Sequence, residues 1–312
     1  MILITGVGGF AGSHLARLCA ERGAEVAGLG RGERPNVPEL SAYERVDLTD
    51  RDAVRAAIAS MKPERVFHLA AAASVARSWQ APAEVVDANV GGSLNLLEAL
   101  RLEAPEAALL VACSGEEYGP PQQLPVDECH VLRPQNPYAT SKAMVDLLAA
   151  SYADAHGMRV IRTRAFNHTG PGQSDTYVVG AFARQIAEAE VSQPADGKAV
   201  IATGNLDVLR DFSDVRDVVR AYWLALERCE AGVYNVCSGR ATAVSDILTD
   251  LAAHSPLEVE RRTDPSRLRN NEVMEIRGSH EKLTDATGWQ PEIELTDTLR
   301  DTLDWWREEV AR

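Results

Sequence analysis

Met1-Ile2-Leu3-Ile4-Thr5-Gly6-Val7-Gly8-Gly9-Phe10-Ala11-Gly12 is the stretch from which the fold follows. Residues 1–4 form a short aliphatic run of the kind that makes a buried strand. Residues 13–22 place Leu15, Leu18 and Cys19 on one face of a helix. Strand, glycine turn and helix in this order form the setting in which G-x-x-G-x-x-G holds a dinucleotide. Gly6 permits a tight turn, Gly9 lets the backbone approach a pyrophosphate, and Gly12 lets the helix pack close. The free N–H groups at the helix start then face the phosphates. A glycine turn that holds no ligand is the plainer alternative, and the flanking strand and helix argue against it.

The next strand is expected over 25–29. A site that prefers NAD carries an acid at the end of this strand, which holds the ribose 2′-OH. Here the strand runs into Gly30-Arg31-Gly32-Glu33-Arg34. A guanidinium at that corner suits a 2′-phosphate, so Arg31 predicts NADP, with NAD possible. A solvated loop arginine is the other reading of Arg31.

Strands over 43–46, 65–71, 107–113 and 160–163 alternate with helices over 50–60, 89–102 and 138–156. That alternation predicts a Rossmann-type doubly wound parallel sheet, an α/β fold. Past residue 163 it breaks. A helix over 179–190, a helix over 212–227, a strand over 232–236 and a helix over 244–253 follow. An arginine-rich loop and a last helix over 295–310 complete the chain. We expect a nucleotide domain of residues 1–166, to which 211–238 return, and a smaller C-terminal α/β substrate-binding domain made of 167–210 and 239–312.

Ser114 falls just past the C-terminal end of the 107–113 strand, and sites of open parallel sheets lie outside those ends. Tyr138-Ala139-Thr140-Ser141-Lys142 puts a phenol and an ammonium one helical turn apart. A phenol ionises near ~10, and a neighbouring ammonium is expected to lower that value. With the Ser114 hydroxyl on the same oxygen, the three make a proton-transfer device for a carbonyl/alcohol pair. A surface Tyr–Lys pair is the unremarkable alternative.

Forty-five per cent of the 312 residues are hydrophobic and 25% charged, as in an ordinary globular protein. The net charge of −14 argues against nucleic acid and anionic membranes as partners. It also makes any local cluster of arginines informative. Cys19, Cys113, Cys129, Cys229 and Cys237 are scattered and odd in number, so reduced thiols and a cytoplasmic location are expected. No secretory leader or bilayer-spanning stretch is expected, and no cluster has metal-ligand spacing. His68 reads as a packed or hydrogen-bonded residue behind the sheet rather than a catalyst.

With these residues in place, the chain resembles the extended short-chain dehydrogenase/reductase superfamily along essentially its whole length. Gly6-x-x-Gly9-x-x-Gly12, His68-Leu69-Ala70-Ala71, Asn89, Ser114 and Tyr138-x-x-x-Lys142 carry the resemblance. Within the superfamily it is most similar to the GDP-4-keto-6-deoxy-D-mannose reductases, which are related to GDP-mannose 4,6-dehydratases. Ser114-Gly115-Glu116-Glu117-Tyr118-Gly119, the run from Thr163 to Gln173 and the run from Gly204 to Phe212 carry that likeness.

The resemblance implies NADPH-dependent reduction of a C4 ketone on a GDP-sugar. Tyr138 is then the proton donor, Ser114 its hydrogen-bonding partner and Lys142 the holder of the nicotinamide ribose. The cofactor set it implies is Gly6, Gly9, Phe10, Ala11, Gly12, Arg31, Asp47, Leu48, Leu69, Ala70, Ala71 and Asn89, together with Tyr138 and Lys142. The substrate set is Asn167, Arg210, Arg269 and Glu272. The family's Arg-Pro-x-Glu segment appears here as Arg269-Asn270-Asn271-Glu272, without the proline that stiffens it. The family also implies a homodimer paired through the helices over 89–102 and 138–156.

Glu116 stands where dehydratases carry an extra acid/base, so 4,6-dehydration is the first alternative. A 4-epimerase would show an acid near position 30, where Gly30 stands. A non-catalytic cofactor sensor would typically lack the Tyr/Lys pair that this chain keeps.

Overall fold

The structure is a computed structural model that describes residues 1–268 and 273–312. In chain order its first part contains β1 (Ile2–Thr5), α1 (Phe10–Glu21), β2 (Val26–Gly30), β3 (Leu40–Arg45), α2 (Arg51–Met61) and β4 (Arg65–His68). Then come α3 (Val75–Gln80), α4 (Pro82–Val86), α5 (Gly92–Glu103), β5 (Ala108–Ser114), α6 (Pro137–His156) and β6 (Val160–Ala165). The remainder holds β7 (Asn167–Thr169), α7 (Val178–Ser192), β8 (Lys198–Thr203), β9 (Leu209–Asp214), α8 (Val215–Arg228) and β10 (Gly232–Val236). It ends with β11 (Ala241–Ala243), α9 (Val244–Ala253), β12 (Glu258–Thr263), β13 (Glu275–Ile276), α10 (Glu281–Thr287) and α11 (Leu295–Ala311).

Seven strands form one parallel sheet in the order β10-β6-β5-β4-β1-β2-β3. Every residue of β1 is buried, and so are Leu109 to Val111 of β5. Such unbroken apolar runs arise because helices cover both faces of a parallel sheet. On one face α1 and α8 pack with Leu15, Cys19, Val218 and Tyr222. On the other, α2, α5 and α6 contribute Val54, Ile58, Leu96, Leu100 and Val145. Beside β1 the winding reverses, with β2 on one side and β4 on the other. A ligand crevice belongs at such a switch point, at the carboxyl ends of the strands.

A second core joins α7, α9 and α11 through Phe182, Ile186, Ile247, Leu251, Leu299 and Leu303. A small sheet lies beside it, with β9 between β11 and β13 and also paired to β7, while β8 and β12 form a separate parallel pair.

The large sheet follows the expected alternation. The small one departs from it. Phe212, expected to start a helix, lies in β9 opposite Asn167, and α8 begins only at Val215. Part of the stretch expected as an arginine-rich loop is β12, an edge strand whose side chains are almost all exposed. Between β4 and α5 the chain folds into α3, α4 and a wide turn over Asp87–Gly91, so the helix expected from residue 89 becomes regular at Gly92. No helix among the described residues is long and apolar enough to cross a membrane.

Candidate active site

The glycine turn is fixed by close contacts. Gly6 has φ +72°, and a Cβ on it would lie 2.8 Å from the Ala70 backbone. A Cβ on Gly12 would lie 2.3 Å from the Gly6 carbonyl oxygen. Neither position admits a side chain without moving backbone. Gly8 and Gly9 are exposed. The Gly9 N-cap supplies no side chain, and the first turn of α1 holds no acid. Its N–H groups therefore keep their capacity for an anion, and the turn fits the pyrophosphate of a dinucleotide. Phe10 and Ala11 open the helix at that point, and the backbone of Leu69 and Ala70, just past β4, lies against Gly6.

At the end of β2, Arg31 is exposed, and its carbonyl accepts a hydrogen bond of 3.0 Å from Arg45 Nε. Arg45, at the end of β3, thus brings a second guanidinium to this corner, which nothing in the local sequence pattern announces. Asp47 accepts from Thr49 N and Oγ1 at 3.0 and 2.9 Å. Those bonds, with Arg31 nearby, hold its carboxyl below the usual range. Leu48 is buried, and its carbonyl takes the Asn95 amide at 2.8 Å. Asn89 lies in the middle of the wide turn over Asp87–Gly91. Its buried side chain accepts from Ala72 N at 2.7 Å and donates to Ser141 Oγ at 2.9 Å. These bonds tie the segment after β4 to α6.

Ser114 is the last residue of β5 and stands opposite Ala165 of β6. The chain then makes one 3₁₀ turn, Gly115–Tyr118. A Cβ on Gly115 would come within 3.1 Å of the Phe166 ring, which lets the turn lie flat against β6. Ser114 Oγ accepts from Glu116 N at 3.2 Å, and its hydroxyl lies near enough to the Tyr138 phenol to lower it. The buried Glu117 completes a capping box, its Oε1 accepting from Ser114 N at 2.7 Å.

The start of α6 carries the other two groups. Asn136 caps the helix by accepting from Ala139 N at 2.8 Å, and Pro137 takes the first helical position. The same Asn136 side chain donates to Glu116 Oε2 at 3.2 Å. Lys142 is 6% exposed, and its Nζ donates to the Ala112 carbonyl at 2.6 Å. Burial pulls the Lys142 ammonium down, and burial pushes the Tyr138 phenol up well beyond its ordinary value. Here the structure departs from the expectation that Lys142 depresses Tyr138. The ammonium is directed at the strand backbone, and the Ser114 hydroxyl is the group that lowers the phenol. Tyr177, at the start of α7 and 41% exposed, lies close enough to raise Tyr138 further. The sequence carries no mark of Tyr177, because the break in the alternation hides what faces the site.

Two residues past Ala165, Asn167 opens β7 and is exposed. His168 stacks on Phe10, with ring centroids 6.0 Å apart and planes at 4°. His14 of α1 bonds the Pro171 carbonyl through Nε2 at 2.8 Å. The glycine turn and the segment over 166–173 therefore touch directly. Arg210 lies in β9, with Thr242 and Ile276 on either side, and Nη1 donates to Leu209 O at 2.9 Å. Arg269 and Glu272, the other two expected substrate residues, lie outside the described residues. His68 is buried between Thr5 Oγ1 at 2.7 Å and Ser93 Oγ at 2.8 Å, held neutral by burial. That is the packed role its sequence position suggested.

One cluster was invisible in the sequence spacing. Cys113, Glu117 and Asp146 bring ligand-type atoms within 4.8 Å of one another, from β5, the 3₁₀ turn and α6. Arg164 Nε binds Asp146 Oδ2 at 2.7 Å and approaches Glu117 Oε2 at 3.7 Å, while Arg162 Nη1 binds Asp146 Oδ1 at 2.6 Å. The guanidinium already supplies the positive charge that a metal would bring, so the cluster is an ion-pair network.

The sequence profile of the GDP-mannose 4,6 dehydratase family matches residues 3–302. The chain is 38% identical to GDP-6-deoxy-D-mannose reductase of Pseudomonas aeruginosa, over 99% of this chain and 98% of the relative. It is 26% identical to GDP-mannose 4,6-dehydratase of Yersinia enterocolitica, over 95% of this chain and 90% of that one. The solved structure of RMD from Pseudomonas aeruginosa complexed with NADPH superposes with a TM-score of 0.87 at 36% identity, covering 99% of each chain.

Proposed function

The chain belongs to the GDP-mannose 4,6-dehydratase family, and from that membership we propose that it reduces the C4 ketone of a GDP-4-keto-6-deoxyhexose with NADPH, giving a GDP-6-deoxyhexose such as GDP-D-rhamnose. It is an NAD(P)-dependent nucleotide-sugar enzyme of the extended short-chain dehydrogenase/reductase type. The observation that carries the reductase reading is the 38% identity along the whole chain to a GDP-6-deoxy-D-mannose reductase, against 26% for a dehydratase.

NADPH bound at the glycine turn supplies hydride to the ketone carbon. The chain's own residues handle the oxygen. Tyr138 gives its proton to the developing alkoxide, and Ser114 holds that oxygen by a hydrogen bond. Lys142 holds the nicotinamide ribose. Arg31, with Arg45 beside it, takes the 2′-phosphate of NADP. Asn167, Arg210, Arg269 and Glu272 receive the sugar nucleotide, whose diphosphate needs local arginines in a chain of net charge −14. In this reading residues 1–166 and 211–238 hold the cofactor, and 167–210 with 239–312 hold the GDP-sugar.

The partner is a second copy of the chain. On α5 and α6, Leu94, Leu102, Met144 and Leu147 are 37–58% exposed, while Leu96, Leu100, Val145 and Ala149 fill the core. Two apolar faces on one pair of helices support a homodimer.

Glu116, at the rim of the site and held by Asn136, is the observation that favours 4,6-dehydration as the second reading. One incubation separates the two. With GDP-mannose alone, a reductase leaves the sugar untouched. When a 4,6-dehydratase and NADPH are added, it consumes NADPH and releases a GDP-6-deoxyhexose. Conversion of GDP-mannose alone to the 4-keto sugar would select the dehydratase.

A further inference from the structure

Glu117 is fully buried directly behind the site, and only one of its oxygens has a clear occupation. Oε1 accepts from Ser114 N at 2.7 Å. Oε2 is buried without a hydrogen-bond partner, and Arg164 Nε stands off at 3.7 Å. That guanidinium is committed to Asp146, which also holds Arg162. An ionised carboxylate with a donor-free oxygen, in a dry wall beside a second carboxylate, is costly. A protonated acid avoids burying that charge. Burial and Asp146 push the Glu117 carboxyl up to about 8.

The groups facing Glu117 come from every neighbouring element. Cys113 lies on β5, Lys142, Asp146 and Tyr138 on α6, Arg164 on β6 with Arg162 behind Asp146, and Tyr118 on the same turn. Glu128 belongs to the loop that follows, and its carbonyl accepts from Arg164 at 3.4 Å. Of these, Tyr138 bears on the reaction, because negative charge on Glu117 makes its phenolate harder to form.

Resting on the reductase reading, we propose that Glu117 is a positioning residue for the reduction, which pins the Ser114 peptide at the end of β5 so that the Ser114 hydroxyl meets the Tyr138 phenol. It does this as an uncharged acid. When Tyr138 yields its proton, a neutral Glu117 places no second anion behind the new phenolate. When Glu117 ionises, it opposes that step, so turnover falls on the alkaline side.

Two variants and one spectrum test this. Glu117→Gln keeps a carbonyl oxygen for Ser114 N and cannot ionise. Its kcat at pH 7 is expected within about threefold of wild type, with the fall centred near pH 8 absent. Glu117→Leu removes the acceptor and strands the Ser114 N–H. Its kcat is expected to drop roughly 10- to 100-fold, with KM for the sugar nucleotide little changed and the melting temperature lowered by a few degrees. A Leu variant that turns over like wild type, or a Gln variant that keeps the alkaline fall, overturns the proposal. If the Leu variant does not fold, the Gln profile decides.

The charge state has its own readout in the carboxyl ¹³C resonance that disappears in Glu117→Gln. It is expected to be protonated at pH 6 and to ionise near pH 8. A carboxylate already ionised at pH 6 overturns the inference even if the wild type reduces no ketone. Wild type that consumes no NADPH on the keto sugar, with the resonance titrating near pH 8, counts instead against the reductase reading.

Discussion

Tyr138 carries the proton in this account, and its neighbours decide how freely it does so. Burial resists the phenolate while the Ser114 hydroxyl favours it. Tyr138→Phe removes one hydroxyl and no packing. Turnover is expected to fall ~10²–10⁴-fold, with NADPH still bound in a fluorescence titration. Near-normal turnover would remove Tyr138 from the mechanism. Arg31→Ala tests the cofactor corner. NADPH affinity is expected to drop by about tenfold or more through loss of a charge-assisted contact, while NADH affinity stays put. Equal losses for both cofactors would show that Arg31 does not read the 2′-phosphate. Tyr138 and Lys142 were legible because their spacing is itself the geometry, one turn of one helix. Glu117, Arg45 and Tyr177 were not, because each gains its meaning from a residue on another strand or helix.

At the scale of elements, α6 presents the site, and Asn136 presents α6. One side chain caps the helix and steadies Glu116 at the rim. Asn136→Ala is expected to cost about 0.5–2 kcal/mol of stability, the usual range for a lost N-cap, read as a lower midpoint in urea unfolding. An unchanged midpoint would mean that Pro137 and the packing of α6 hold the helix start unaided. The strands of the large sheet could be read in the sequence because apolar runs such as Leu109 to Val111 leave no other home. The small sheet could not. Strands β7, β11 and β13 are two or three residues long, too short for any periodicity, and β12 is an exposed polar edge. The start of α8 was misplaced for a related reason. Phe212 fits a helical stripe by spacing, and its pairing with Asn167 in β7 draws it into a strand.

For the whole molecule, the order of the seven strands and the position of the switch point follow from alternation and crossover rules. They put the glycine turn, Ser114 and the end of β6 along one edge. The same build leaves Met144 and Leu147 outside the core. Light scattering at micromolar concentration is expected to give a species of twice the 33.8 kDa chain mass, and Leu147→Glu should halve it. A single 33.8 kDa species in the wild type would contradict the dimer. The central claim is hydride delivery to a sugar ketone, and an isotope follows that hydride directly. The chain is supplied with a GDP-4-keto-6-deoxyhexose and NADPH deuterated at the transferable position of nicotinamide C4, and the product is examined by NMR. The account predicts one deuterium at sugar C4 for each NADPH consumed. Product without deuterium at C4, or no NADPH consumed, would contradict it.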